Sequence, residues 1–346
     1  MNLHYNNKSL FLFIPLVFFN FLFSFSTFAS NSDLKKSISS SLFSPYADIT
    51  VGAVWNDWQN YPEGRPSDLV PISEQTGTKG YVLAFIQSIE GKCKAGWAGV
   101  SALSIDSMWG KYLTDQLTNN KINYSISFGG ASGMDLSAAC SSAVDLKNIY
   151  EQVFTTFQPN ALDFDIEGNF QGDVKSITRM MTALNIFQQD HPDIKITLTL
   201  PTMPEGLTSL GENIIFIAKN SGLNFTVNIM AMDYGSTYNQ DMAQYAIQAS
   251  NNLFLFLKTQ FPSKAEKDLW SMVEVTQMIG LNDISSEIFT INDADTVNNF
   301  SKEKGMGGVH MWSVARDNPC SIQWASPICS GIINQTKYEY MKHFAK

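Results

Sequence analysis

Ala161-Leu162-Asp163-Phe164-Asp165-Ile166-Glu167-Gly168 is the most informative run in this chain: three acids alternate with apolar residues until a glycine stops them. Successive side chains of a β-strand point to opposite faces, so Asp163, Asp165 and Glu167 share one face while Leu162, Phe164 and Ile166 share the other. Carboxylates held at strand spacing raise one another's proton affinity, and burial raises it further, which keeps a carboxylic acid protonated near neutral pH. A general acid requires this. Phe157-Gln158-Pro159-Asn160 before the run and Gly168-Asn169-Phe170-Gln171-Gly172 after it bound a short strand, as expected inside a parallel sheet.

Working outward, short apolar runs alternate with longer amphipathic ones. Strands are predicted at 49–55, 81–87, 123–128, 161–167, 195–200, 226–232, 270–278 and 308–314, and helices at 103–117, 146–157, 174–189, 212–220, 241–261, 294–304 and 332–344. Regular alternation of this kind predicts an α/β fold, a single (β/α)8 TIM barrel. A doubly wound open sheet is disfavoured because no GxGxxG follows the first strand.

The 346 residues are 44% hydrophobic and 16% charged, enough to bury one large core. A net charge of −9 without any Lys/Arg cluster excludes nucleic acid as a partner, since phosphate binding needs concentrated positive charge. Residues 1–29 read as a secretory signal: Lys8 precedes a Leu/Phe/Ile/Val run from Leu10 to Phe23, and Thr27-Phe28-Ala29 offers small residues for cleavage. An uncleaved anchor is the alternative. Residues 30–44 are Ser-rich and read as a linker, leaving 45–346 as the barrel. The product is expected to be secreted or periplasmic, monomeric and without stable membrane association. Four cysteines, Cys93, Cys140, Cys320 and Cys329, fit two disulfides in an exported protein. Three pairings are open. The nine-residue separation of Cys320 and Cys329 favours a local staple, which would leave Cys93 with Cys140. No metal and no cofactor is expected, because neither the cysteine spacing nor the four histidines form a ligand pattern.

Active sites of such barrels sit at the C-terminal ends of the strands. That rule nominates Trp55 and Trp58, Gln87, Gly129 and Gly130, Glu167, Met203, Met232 to Tyr234, Gln277 and Trp312. Aromatic, amide and carboxyl groups dominate the set. They suit a sugar, whose ring faces stack on flat side chains and whose hydroxyls bind amides and acids.

Four of these motifs together resemble glycoside hydrolase family 18, the chitinases and related endo-β-N-acetylglucosaminidases. Leu162 to Glu167 resembles the end of the family's DxxDxDxE signature, and Ser127-Phe128-Gly129-Gly130 its SxGG element. Met232-Asp233-Tyr234 is similar to its strand-six Met-x-Tyr, and Trp312 to the tryptophan under the sugar site. The segments 227–235 and 278–283 look closer to bacterial and archaeal members than to plant ones. The first acid of the signature is replaced by Asn160, a departure expected to have a structural more than a catalytic consequence.

The resemblance implies a secreted chitinase that cleaves β-1,4 bonds between N-acetylglucosamine units in chitin or its oligosaccharides, with retention and with the substrate's own 2-acetamido group as nucleophile. An endo-β-N-acetylglucosaminidase acting on N-glycans, or a chitin-binding lectin, are the alternatives; lectin-like relatives usually lose the final glutamate, which is kept here. Glu167 would be the acid/base, Asp165 would bind the acetamido N–H, and Asp163 would share a proton with Asp165. Tyr234 would donate to the acetamido carbonyl. Trp312, Asp233, Met232, Gln277, Gly129, Gly130 and Trp55 would contribute to substrate binding, with Trp58 and Trp97 as weaker outer-subsite candidates.

Overall fold

Eight parallel strands close into a barrel: β1 (Tyr46–Asp48), β2 (Gly80–Ser88), β3 (Asn123–Gly129), β4 (Ala161–Asp165), β5 (Lys195–Met203), β6 (Thr226–Met230), β7 (Val273–Met278) and β8 (Gly308–Trp312). Each pairs in parallel with its neighbour, and β1 closes the ring by pairing with both β8 and β2. A helix follows each strand: α1 (Val70–Thr76), α2 (Lys111–Asn119), α3 (Ala143–Phe157), α4 (Val174–Asp190), α5 (Ser209–Asn220), α6 (Met242–Gln260), α7 (Ile291–Lys304) and α8 (Glu339–Phe344). The (β/α)8 expectation is met. The structure is a computed structural model and describes Met1 and residues 42–346. The expected signal peptide, Met1 apart, and the expected linker up to residue 41 lie outside the described residues.

The core lies between sheet and helices, where period 2 meets period 3.6. Phe164 on the outer face of β4 stacks on Phe128 of β3 at 5.0 Å and meets Tyr150 of α3 edge-on. Leu146, Tyr150, Val153 and Phe157 form the buried stripe of α3, which begins where the Ser142 hydroxyl accepts the Asp145 N–H. Disulfides join Cys93 to Cys140 and Cys320 to Cys329.

Four of the boundaries that differ from expectation have an identifiable local cause. The first strand is Tyr46–Asp48 and not 49–55, because the Asp48 carboxylate accepts the N–H and hydroxyl of Thr50 and turns the chain there. The supposed linker ends earlier than 44: Leu42 and Ser44 bond the backbone of Val309, and Phe43 is buried against Phe344 at 5.0 Å. The helix expected at 103–117 begins at Lys111, since Met108 and Gly110 have φ of 60° and 92°. The closing helix begins only at Glu339, where the Asp317 carboxylate accepts the N–H groups of Tyr340 and Met341.

Candidate active site

The glycines after β3 fix the position of the acid strand. Gly129 has φ of 95°, and a Cβ there would stand 2.1 Å from the Asp165 carbonyl oxygen. The Gly130 N–H donates to that same carbonyl at 3.1 Å. Only glycine satisfies both the left-handed backbone and the close approach. Gln87 donates its amide to the carbonyls of Gly129 and Ser132, tying the end of β2 to this turn. A Cβ at Gly130 would meet the Phe85 ring at 3.1 Å. These groups thus locate β4 against β3.

Asp163 and Asp165 point into the barrel and are almost wholly buried. Asp163 Oδ2 accepts hydroxyl protons from Ser127 at 2.6 Å and Tyr46 at 3.0 Å, and Oδ1 accepts from Thr199 at 2.6 Å. Burial raises its carboxyl above the usual range, while the three hydroxyls pull it back. Asp165 is instead hydrogen-bonded to Glu167, and its Oδ1 has no partner. Burial first, then the charges of Glu167 and Asp163, push its proton affinity well above the ordinary carboxylate range. Burial also raises Glu167, the hydrogen bond from Asp165 opposes this, and the charge of Asp233 adds to it. Glu167 is thus the stronger electrostatic neighbour of Asp165 and Asp163 the weaker. Asp163 is held by three hydroxyl donors.

Regular strand ends at Asp165, yet the extended course persists: the Ile166 N–H bonds the Thr199 carbonyl and Glu167 has φ −120°, ψ 169°. Alternation therefore carries Glu167, half-buried, to the barrel mouth. At the other end, Asn160 bonds the backbone of Tyr124 through both its side-chain oxygen and its N–H. That is a structural role.

Trp312, at the end of β8, is half-buried and stacks on Phe85 at 5.7 Å and 29°, with Tyr46 at 6.2 Å behind it. Met232 and Asp233 are half-buried after β6, and Asp233 Oδ1 accepts the Ile284 N–H at 3.0 Å. Asp233 has φ of 53°, which breaks the strand alternation. Tyr234 is consequently displaced from the role expected for it. Its ring is buried beside Tyr238 and Tyr245, its hydroxyl is unpaired, and the charges that act on it are Glu287 and Glu205.

Gln277 is also displaced. Thr276 bonds Asn228 inside the barrel, so the adjacent Gln277 faces the helices with Val273 and Val275, in register with buried Met311. Its amide finds no partner there. Trp97 is fully buried and donates to the Trp109 carbonyl, which makes it core rather than a subsite. Trp55 and Trp58 are exposed in the loop after β1, and Trp55 stacks on Trp109 at 6.1 Å.

The sequence reading missed Tyr46, Thr199, Asn228, Thr276 and Phe85. Thr197-Leu198-Thr199 carries the same alternation as β4 and could have placed Thr199 in the lumen. Beneath this hydroxyl layer, Glu274 bridges Lys195 at 2.7 Å and His310 at 2.9 Å. Among the described residues no group of His, Cys, Asp and Glu is arranged to hold a metal ion.

Comparison with known proteins places this geometry in a family, although no protein-family model matches the chain. The chain is 29% identical over 327 residues to a probable bifunctional chitinase/lysozyme of Escherichia coli (strain K12), covering 90% of this chain and 35% of that protein. It is 29% identical over 301 residues to Endochitinase 11 of Metarhizium anisopliae, covering 83% and 55%. The chain thus spans about a third to half of these curated relatives. The catalytic domain of the hyperthermophilic chitinase from Pyrococcus furiosus superposes with a TM-score of 0.77 at 30% identity, over 87% of this chain and 93% of that domain. With identity at that level across nearly the whole of a solved catalytic domain, the chain belongs to the chitinases of glycoside hydrolase family 18.

Proposed function

We propose that this protein hydrolyses β-1,4 bonds between N-acetylglucosamine units by substrate-assisted catalysis with retention. The observation that carries the proposal is the buried Asp165–Glu167 pair at the barrel mouth, in which both carboxyls are raised by burial and Asp165 Oδ1 is left without a partner. Glu167, whose carboxyl burial raises, protonates the leaving oxygen and then takes a proton from the incoming water. Asp165 Oδ1, lacking a partner, is the acceptor for the acetamido N–H and aligns the nucleophilic carbonyl oxygen with the anomeric carbon. Asp163 lies beneath it, its carboxylate form favoured by three hydroxyl donors, and stabilises the positive charge that develops on the oxazolinium ion. Trp312 supplies the stacking floor, and Asp233 holds the proton affinity of Glu167 up.

Chito-oligosaccharides occupy catalytic-site mutants of the related Pyrococcus furiosus domain, which supports the same ligand class here. Two disulfides and the signal-like residues 1–29 support export, and no helix among the described residues is long and apolar enough to cross a membrane. Incubation with tetra-N-acetylchitotetraose, and separately with a high-mannose glycoprotein, tests the substrate. Shorter chito-oligosaccharides are expected from the first. Release of glycan from the second alone would make the protein an endo-β-N-acetylglucosaminidase, and binding without product a lectin.

A further inference from the structure

Inside the barrel, six polar side chains from six strands meet around Asp163 with a proton count that closes. Tyr46, Ser127 and Thr199 each have one hydroxyl proton, and each lies within 3.0 Å of an Asp163 oxygen. The Tyr46 and Thr199 oxygens also lie 3.1 Å apart, so either could give its proton to the other and leave Asp163 one donor short. Asn228 opposes this. Its Nδ2 donates to the Tyr46 oxygen at 3.1 Å and to the Thr199 oxygen at 3.0 Å, occupying on each oxygen one of the two lone pairs that a misdirected hydroxyl would use. The amide could do the opposite if it turned over, since its carbonyl would then attract both hydroxyl protons. Thr276 opposes that turn: its hydroxyl donates to Asn228 Oδ1 at 2.9 Å.

We propose that Asn228, held in one orientation by Thr276, is a positioning residue that directs the Tyr46 and Thr199 hydroxyl protons onto Asp163. Both residues are buried inside the barrel. All six groups are buried, so water cannot replace a lost donor cheaply, and a misdirected network leaves a buried carboxylate under-bonded. Tyr46 stays protonated because burial first, and then Asp163 and Asp165, hold its phenol far above its ordinary range. The charged or titratable groups around Asp163 are Tyr46 on β1, Asp165 and Glu167 on and after β4, Asp233 after β6, Glu274 on β7 and His310 on β8. A substitution at Thr276 removes none of these groups. The consequence for catalysis rests on the role proposed above for Asp163, but the direction of the protons does not.

The test is a carboxyl 13C NMR titration of protein labelled in aspartate, with the Asp163 resonance identified by its loss in Asp163→Asn. In Thr276→Val, which keeps shape and charge but lacks the hydroxyl, the Asp163 midpoint should rise by about one pH unit, the tenfold loss of anion stabilisation expected for a weakened charged hydrogen bond. Thr276→Ser should restore the parent midpoint. Asn228→Asp, where an acceptor replaces the N–H donors, should raise it further, and this variant decides the matter should Thr276→Val not fold. An unchanged Asp163 midpoint in folded Thr276→Val or Asn228→Asp overturns the proposal. Turnover of tetra-N-acetylchitotetraose, measured in parallel, should fall about tenfold in kcat with KM within twofold for Thr276→Val. Failure of the parent to turn over that substrate would refute the proposed function while the titration still decides the role of Asn228.

Discussion

Gly129 and Asp165 pack so closely that no side-chain atom fits between them: a Cβ on the first would lie 2.1 Å from the carbonyl oxygen of the second. The reacting strand is located by its neighbour's lack of a side chain. Gly129→Ala should therefore destabilise the fold by more than about 2 kcal/mol, combining a left-handed backbone with a backbone clash. Gly172→Ala, where a Cβ meets nothing within 4 Å, is the control and should stay within about 0.5 kcal/mol. Urea unfolding of the two variants checks the contrast.

Asp233 and Tyr234 are adjacent in sequence but should separate in function. Tyr234 is sealed among Tyr238 and Tyr245, so Tyr234→Phe should retain activity within about twofold. Asp233 acts electrostatically on Glu167, so Asp233→Asn should lower the proton affinity of Glu167 and shift the alkaline limb of the kcat–pH profile to lower pH. The two pH profiles, recorded side by side, check both statements.

Glu274 stabilises the base of the barrel in a pH-dependent way. Burial alone would raise its carboxyl, but Lys195 and His310 outweigh burial and hold it well below the usual range. A depressed folded value means that the stabilisation is present above the unfolded value of about 4.3 and is lost as pH falls through the folded value. Glu274→Gln should cost roughly 3 kcal/mol at pH 7, and the gap from the parent should narrow as acid is approached. Urea unfolding at pH 7 and pH 3 measures that gap.

Glu167→Gln should lose about 10²-fold or more in kcat while still binding tetra-N-acetylchitotetraose, because the amide keeps the shape of the side chain but carries no transferable proton. Initial rates and isothermal titration calorimetry separate the two effects. Near-parental turnover would remove Glu167 from the acid/base role.

The acid strand was legible because alternation of three acids with Leu162, Phe164 and Ile166 leaves one way to bury the apolar face. Gly129 and Gly130 were also legible, but as sugar contacts; the close approach to Asp165 appears only when β3 and β4 are side by side. Gln277 was misplaced because a polar residue near a strand end suggests the mouth. Its parity with Val273 and Val275 places it outside the barrel. Tyr234 was misplaced for a reason invisible in sequence, the left-handed backbone at Asp233. Tyr46 escaped notice because its three-residue strand precedes a stronger apolar run, Ile49 to Trp55, which Asp48 turns into a loop. Local pattern thus found residues held by one strand's own periodicity and missed those held by contacts across the barrel.

The central claim is that Glu167 transfers protons while the substrate supplies the nucleophile, and its most direct test is the anomeric configuration of the first product. Proton NMR of tetra-N-acetylchitotetraose hydrolysis, recorded before mutarotation, should show the β-anomer at the newly formed reducing end. An α-anomer appearing first would contradict substrate-assisted retention and require water itself to attack the anomeric carbon.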